Sequence, residues 1–354
     1  MSQRSILILG ASYGSLLGAK LALAGHAVTL VCRSRNAGLI NSEGIVVRMP
    51  VKGRDGLVEL RSRDLAGAVT AATPEEARPA DHDLVVLAMQ EPQYRAPGVR
   101  ELLEATAQSR VPCMSIMNMP PPPYLARIEG VDPRPCEESY TDTAPWERFD
   151  PALVTLCSPD PQAFRPPDGP GNILQVRLPT NFKVARFASD EHTALLRELA
   201  DGIEAARLAL DGEALDLPVK LKVHDSVFVP LAKWAMLLAG NYRCILDGGV
   251  RSIRDAVHGE VEAARSVYDW VVELCVALGA SVADMVPFPK YALAAQSLQA
   301  PSSCARALLA GAPHIERVDR LVQAMAAQRG MRNAAVDETV ARVDAWLVRN
   351  RLKG

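Results

Sequence analysis

The chain of 354 residues has no excess of either charge: 39 lysines and arginines stand against 41 aspartates and glutamates, a net charge of −2. With no basic patch or stripe, nothing points to nucleic acid as a partner. No apolar run approaches the ~18 residues of a membrane span, and no basic region followed by a sustained apolar segment opens the chain. The expected compartment is therefore the cytoplasm, with no membrane association. The seven cysteines, at 32, 113, 136, 157, 244, 275 and 304, are an odd number without a Cys-x-x-Cys pair. They read as free thiols, and neither a disulfide framework nor a zinc site is indicated. The six histidines, at 26, 82, 192, 224, 258 and 314, form no metal-spaced pair. No internal repeat or low-complexity linker is visible, and the length suits two domains with proper cores.

What the chain does have begins at Ser5-Ile-Leu-Ile-Leu-Gly10-Ala-Ser-Tyr-Gly14-Ser-Leu-Leu-Gly18, followed by Ala27-Val-Thr-Leu-Val31 and Arg33. An apolar strand that breaks on glycine and enters a small-residue helix gathers unpaired N–H groups at a positive helix end, which suits a pyrophosphate. Of the three glycines of a strict Gly-x-Gly-x-x-Gly pattern only Gly10 is present, with Ser12 and Ser15 at the other two places. Gly14 and Gly18 can still leave the loop short of side chains and let the helix pack closely on the sheet. Ser12 is small enough for close backbone approach. The segment reads as the first βαβ unit of a dinucleotide-binding domain, with Gly10, Ser12, Tyr13 and Gly14 as cofactor residues. Where an acidic residue would hold a ribose 2′-hydroxyl stands Cys32-Arg33-Ser34-Arg35, which favours a 2′-phosphate and hence NADP(H).

Further β-prone runs occur at 45–51, 57–61 and 68–72, then at Asp83-Leu-Val-Val-Leu-Ala-Met89 and Cys113-Met-Ser-Ile-Met117. The last two end at polar residues, Gln90 and Asn118, on the expected carboxyl edge of a parallel sheet. Between 120 and 170 lie 13 of the 26 prolines, so this stretch is expected to be a stiffened excursion that is neither continuous helix nor central strand. Two β-like runs follow at 173–178 and 182–187, then a charged helix near 191–208. From about 222 the period turns helical: one stripe runs over 255–278 and is closed by Gly279, and others run over 315–325 and 336–347. The expected fold class is α/β plus all-α. A Rossmann-type dinucleotide-binding domain over 1–220, with a Pro-rich insertion at about 119–170, precedes an all-helical domain over 221–354. Its Met-, Leu- and Ala-rich helices are compatible with a homodimer.

These motifs resemble the ketopantoate reductase (2-dehydropantoate 2-reductase) family. The resemblance rests on Gly10–Gly18 with Gly25 through Arg33, the strands ending at Gln90 and Asn118, Ala232-Lys233-Trp234 through Asn241, and Pro301-Ser302-Ser303. It implies an NADP(H)-dependent oxidoreductase with a Rossmann domain and a helical C-terminal domain, acting on a small 2-oxo acid or related carbonyl. Lys233 matches the family's catalytic lysine, whose ammonium polarises the carbonyl and donates a proton. Asn118 matches the residue between nicotinamide and substrate, and Gln90 and Arg33 match cofactor residues. Asn241 and Ser303 match substrate-binding residues, Ser303 having the cap of a helix as its alternative. Glu316 matches the family glutamate, although the spacing also admits His314.

The chain departs from the family in several places. Leu87 replaces a lysine before Gln90, the first loop is one residue shorter, and Met119 with Pro120–Pro123 replaces a glycine-containing turn. Asn241 lies eight positions beyond Lys233, ~12 Å along a regular helix. Between them Leu237 takes the place of a second asparagine, which argues against a substrate hydroxyl at that point and so against ketopantoate itself. Two other readings stay open. One is an opine-type dehydrogenase that reduces an imine and depends on His224; the other is a dinucleotide-sensing protein without turnover. His224-Asp225 as a dyad is disfavoured, because neighbouring side chains on a helix diverge.

Overall fold

The structure, a computed structural model, describes residues 2–353. It forms two compact units. The first comprises the chain up to Met89 together with Gln93–Met117 and Ala144–Asp225; the second comprises Gln90–Pro92, Asn118–Thr143 and the chain from Ser226 onward.

In the first unit the apolar runs become an eight-stranded sheet. Its order is Leu221–His224, Phe182–Ala185, Val154–Ser158, Cys113–Ile116, Leu84–Leu87, Ser5–Leu9, Ala27–Val31 and Val69–Ala72. The six strands from Val154–Ser158 to Val69–Ala72 run parallel, and Phe182–Ala185 turns antiparallel to its neighbour. Ile6, Leu7, Ile8 and Leu9 are all fully buried, as are Val85, Val86 and Leu87. Helices cover both faces of such a sheet, which is why these strands are apolar without alternation. From Ser5–Leu9 the chain first moves outward to Ala27–Val31 and Val69–Ala72, then returns to the other side with Leu84–Leu87. That reversal is the switch point at which open parallel sheets bind ligands.

The Pro-rich excursion is not continuous. Ala152–Ser158, between Pro151 and Pro159, is free of proline, and within it Val154–Ser158 forms a fully buried strand in the body of the main sheet, parallel to Cys113–Ile116. The expectation of no central strand between 120 and 170 is thereby corrected; proline excludes only the positions it occupies. On either side the prolines behave as expected. Short 3₁₀ turns occupy 134–139, 144–148 and 151–153. A second sheet, ordered Leu57–Arg61, Val46–Pro50, Ile173–Leu178 and Gln162–Phe164, uses the far end of the segment.

In the second unit the helices are Ile253–His258, Val261–Ala277, Phe288–Ala295, Ser303–Leu309, Val318–Gln328 and Ala334–Arg351, besides a short turn at Pro122–Leu125 and the helical run from Val229. The helical period begins later than expected, because Leu221–His224 pairs with Phe182–Ala185 as an edge strand. The stripe over 255–278 is also two helices, broken at Gly259 and Glu260, and Gly279 follows the second with φ +113°. The run from Lys233 to Asn241 is not a regular α-helix. Lys233–Met236 is α-helical and Leu237–Asn241 is a π turn. Tyr291 explains the local geometry: its hydroxyl donates to the carbonyl of Met236 at 3.1 Å and occupies the space a Cβ on Gly240 would need. No helix among the described residues is long and apolar enough to cross a membrane.

Candidate functional site

In the first unit the loop Gly10–Ser12 joins the first strand to the helix Tyr13–Leu23. Gly10 has φ +109°, and a Cβ there would lie 2.7 Å from the Ala88 carbonyl oxygen. Only glycine fits this close approach at the switch point. Ser12, at the N-cap, is exposed; its side chain makes no cap bond, and no acidic residue occupies the first turn. The first turn of the helix therefore carries neither a side-chain cap nor an acid of its own at its positive end, an arrangement that suits a pyrophosphate. Gly14 is buried, and a Cβ there would meet Ile8 Cγ2 at 2.6 Å. Its position serves helix-to-sheet packing. The Tyr13 hydroxyl donates to the Pro161 carbonyl at 2.6 Å. Arg33 and Arg35 are exposed at the end of the second strand, where Arg33 is the N-cap of Ser34–Glu43, and neither pairs with a carboxylate among the described residues.

Sequence reasoning missed a third arginine. Arg165 Nη2 donates to the Ala11 carbonyl at 2.9 Å, and its charge acts on the Cys32 thiol. The residue comes from the far end of the Pro-rich segment, and no local signal ties position 165 to position 11.

The second unit gathers Asn118, Lys233 and Glu316. Asn118 Nδ2 donates to Glu316 Oε2 at 3.0 Å, and its backbone oxygen accepts from Trp234 Nε1 at 3.2 Å. Trp234 follows Lys233 directly and is fully buried, so the indole anchors the helical run that carries the half-buried lysine. Asn118 Oδ1 is buried without a hydrogen-bond partner among the described residues. Burying such an acceptor is costly unless a donor completes it. Burial raises the Glu316 carboxyl above its usual range, against the opposing pull of the Asn118 amide, the Glu91 backbone N–H and the Lys233 charge. Between Glu316 and His314, it is Glu316 that takes the Asn118 bond. Tyr242 fixes its backbone: the hydroxyl donates to the Glu316 carbonyl and accepts from Val318 N at 3.0 Å.

Glu91 is a second buried carboxyl, 2% exposed, and was not anticipated. Burial pushes it up to about 7, although it accepts from Thr141 N at 2.7 Å and from the Thr141 hydroxyl at 2.8 Å. It follows the exposed Gln90 directly, and a lone glutamate after a strand reads as a solvated charge, so nothing in the sequence marked it.

Asn241 ends the π turn half-buried, and its carbonyl accepts from the Ser302 hydroxyl at 2.7 Å. Ser302 caps Ser303–Leu309 by accepting from Ala305 N, so the cap falls one residue before Ser303, which is exposed. Leu237 is buried. His224 closes an edge strand instead of lying on a helix, and Asp225 pairs with Arg197 at 2.7 Å.

Residues 6–108 match the family model described as "Ketopantoate reductase PanE/ApbA". No curated protein sequence matches the chain. Among solved structures, the 2-dehydropantoate 2-reductase from Methylococcus capsulatus is 16% identical with a TM-score of 0.64, covering 98% of this chain and 97% of its own. A D-mandelate dehydrogenase solved with NADH and anilino(oxo)acetate is 14% identical with a TM-score of 0.64, covering 98% and 99%. The dimeric ketopantoate reductase from Staphylococcus aureus is 13% identical with a TM-score of 0.60, covering 98% and 99%. The motif-based resemblance to ketopantoate reductases thus holds, and the fold is theirs: a Rossmann-like parallel sheet with helices and a helical C-terminal region.

Proposed function

We propose that the protein is an NADP(H)-dependent reductase of a small 2-oxo acid or related carbonyl, with Lys233 as proton donor. The observation that carries this reading is the cluster of Asn118, Lys233 and Glu316, in which a buried amide oxygen has no donor of its own. For the cofactor, the glycine-only approach at Gly10, the helix end without a cap bond or an acid, and the unpaired arginines fit a phosphorylated dinucleotide.

A bound reduced nicotinamide supplies the hydride to the carbonyl carbon. The chain's own residues supply the rest. The Lys233 ammonium polarises the carbonyl oxygen and gives it the proton that completes the alcohol. Glu316 holds the Asn118 amide in place through its Nδ2, which leaves Oδ1 to accept a hydrogen bond from a ligand. Asn241 and Ser303 stand as the substrate-binding positions. Leu237 offers an isobutyl group where the family carries an amide, so a hydroxyl on the substrate gains nothing there.

The test is a panel of 2-oxo acids, ketopantoate and aryl oxo acids included, assayed by oxidation of NADPH and of NADH. The expected result is turnover of an oxo acid lacking the ketopantoate hydroxyl, faster with NADPH. Absence of turnover across the panel, in protein shown to bind the dinucleotide, would favour a sensing role. Efficient use of ketopantoate would overturn the reading of Leu237.

A further inference from the structure

The segment from Pro161 to Asn172 is tied to both nucleotide-facing elements of the first unit. At its start the Tyr13 hydroxyl donates to the Pro161 carbonyl, and at its end Gly171 lies against Asn36, with a would-be Cβ 2.8 Å from Asn36 Oδ1. Asn172 Nδ2 then donates to the Gly44 carbonyl at 2.8 Å, and Val46 N donates to the Asn172 carbonyl at 3.0 Å. The ribbon Gln162–Phe164 pairs antiparallel with Ile173–Leu178, which fixes the register of the chain that leads into Arg165. The segment thus runs from the loop after the first strand to the helix after the second, and Arg165 stands along that path.

Arg165 is half-buried. One of its five N–H donors goes to the Ala11 carbonyl, which also accepts from the Ser15 hydroxyl at 2.7 Å. Among the described residues no carboxylate pairs with it. A guanidinium pinned at one corner, with its other donors uncommitted, is preorganised for a multidentate oxyanion. Its charge reaches Cys32, the residue before Arg33. Ala11 belongs to the phosphate loop, and Cys32 stands where the second strand reaches the adenosine ribose in a dinucleotide-binding fold.

We propose that Arg165 binds the adenosine 2′-phosphate jointly with Arg33 and so sets the cofactor preference. The Pro-rich segment thereby contributes a specificity residue. The inference rests on the dinucleotide reading of the Gly10 loop, and the experiment separates the two.

Binding of NADPH and NADH to the intact protein is measured by calorimetry for wild type, Arg165→Ala, Arg165→Lys, Arg33→Ala and the double alanine variant. Thermal melts without ligand check the fold of each, with Arg165→Lys as the variant that keeps charge and bulk. Loss of about ten- to a hundredfold in NADPH affinity for Arg165→Ala is expected, the range of one charge-assisted hydrogen bond. NADH affinity should change less than threefold. Arg165→Lys should restore part of the loss, and the double variant should lose less than the product of the single effects, because both arginines hold one phosphate. Competition by 2′-AMP should weaken in parallel with NADPH. Equal losses for NADPH and NADH would place Arg165 on the pyrophosphate and overturn the proposal, as would unchanged affinities. Failure of wild type to bind either dinucleotide would instead overturn the functional reading itself.

Discussion

At the scale of single residues, the buried Glu91 carboxyl makes the stability of the fold depend on pH. Glu91 titrates in the folded protein at about 7, above its ordinary 4.5, because burial disfavours its charge. Between those values the folded state holds a proton that the unfolded state has released, so this group's contribution to stability falls as pH rises through that window. Glu91→Gln removes the dependence. The melting temperature of the variant relative to wild type should therefore climb between about pH 4.5 and pH 7 and level off above, whatever the offset from altered bonds to Thr141. Parallel melting curves across that range would contradict the assigned state of Glu91. Leu237 provides a second test at this scale. Leu237→Asn should shift preference toward hydroxyl-bearing oxo acids by ~1–3 kcal/mol in kcat/KM, the scale of one buried polar contact. A panel in which both proteins rank the acids identically would remove Leu237 as a selector.

At the scale of elements, glycines fix the close approaches. A Cβ on Gly14 meets Ile8 Cγ2, so Gly14→Val forces the helix Tyr13–Leu23 off the strand Ser5–Leu9. The expected outcome is destabilisation by ~1–3 kcal/mol, as for other overpacked cores, with weakened dinucleotide binding as a consequence. Unchanged melting would show that the helix has room to move. Gly240→Ala should collide with the Tyr291 hydroxyl and disturb the π turn. Tyr291→Phe in the same chain should recover much of the lost stability, whereas failure to recover would place the strain elsewhere. The strands and the first βαβ unit were legible in the sequence because buried parallel strands are apolar throughout. The π turn was not, since apolar spacing over nine residues cannot separate i+4 from i+5 bonding when the cause is a tyrosine some fifty residues away. The strand Val154–Ser158 was legible only as a proline-free window, and overall proline density concealed it.

At the scale of the molecule, the candidate residues fall into two groups, one in each unit. One carries the glycine loop with Arg33 and Arg165; the other carries Asn118, Lys233 and Glu316. Residues of the second unit come from three separate stretches of chain, 90–92, 118–143 and the region from 226. Asn118, Lys233 and Glu316 were singled out in the sequence through family resemblance, and the structure brings the three into one cluster. Sequence reading missed Glu91 and Thr141, whose pairing spans fifty residues, and Arg165, which reaches back across more than 150. Such long-range pairings leave no periodic trace. Whether Lys233 supplies the proton is decided by kcat for Lys233→Ala with the best oxo acid from the panel, beside its affinity for NADPH. A fall in kcat of ~10²–10⁴ is expected, with dinucleotide affinity little changed. A variant that binds NADPH normally and turns over at the wild-type rate would contradict this role of Lys233.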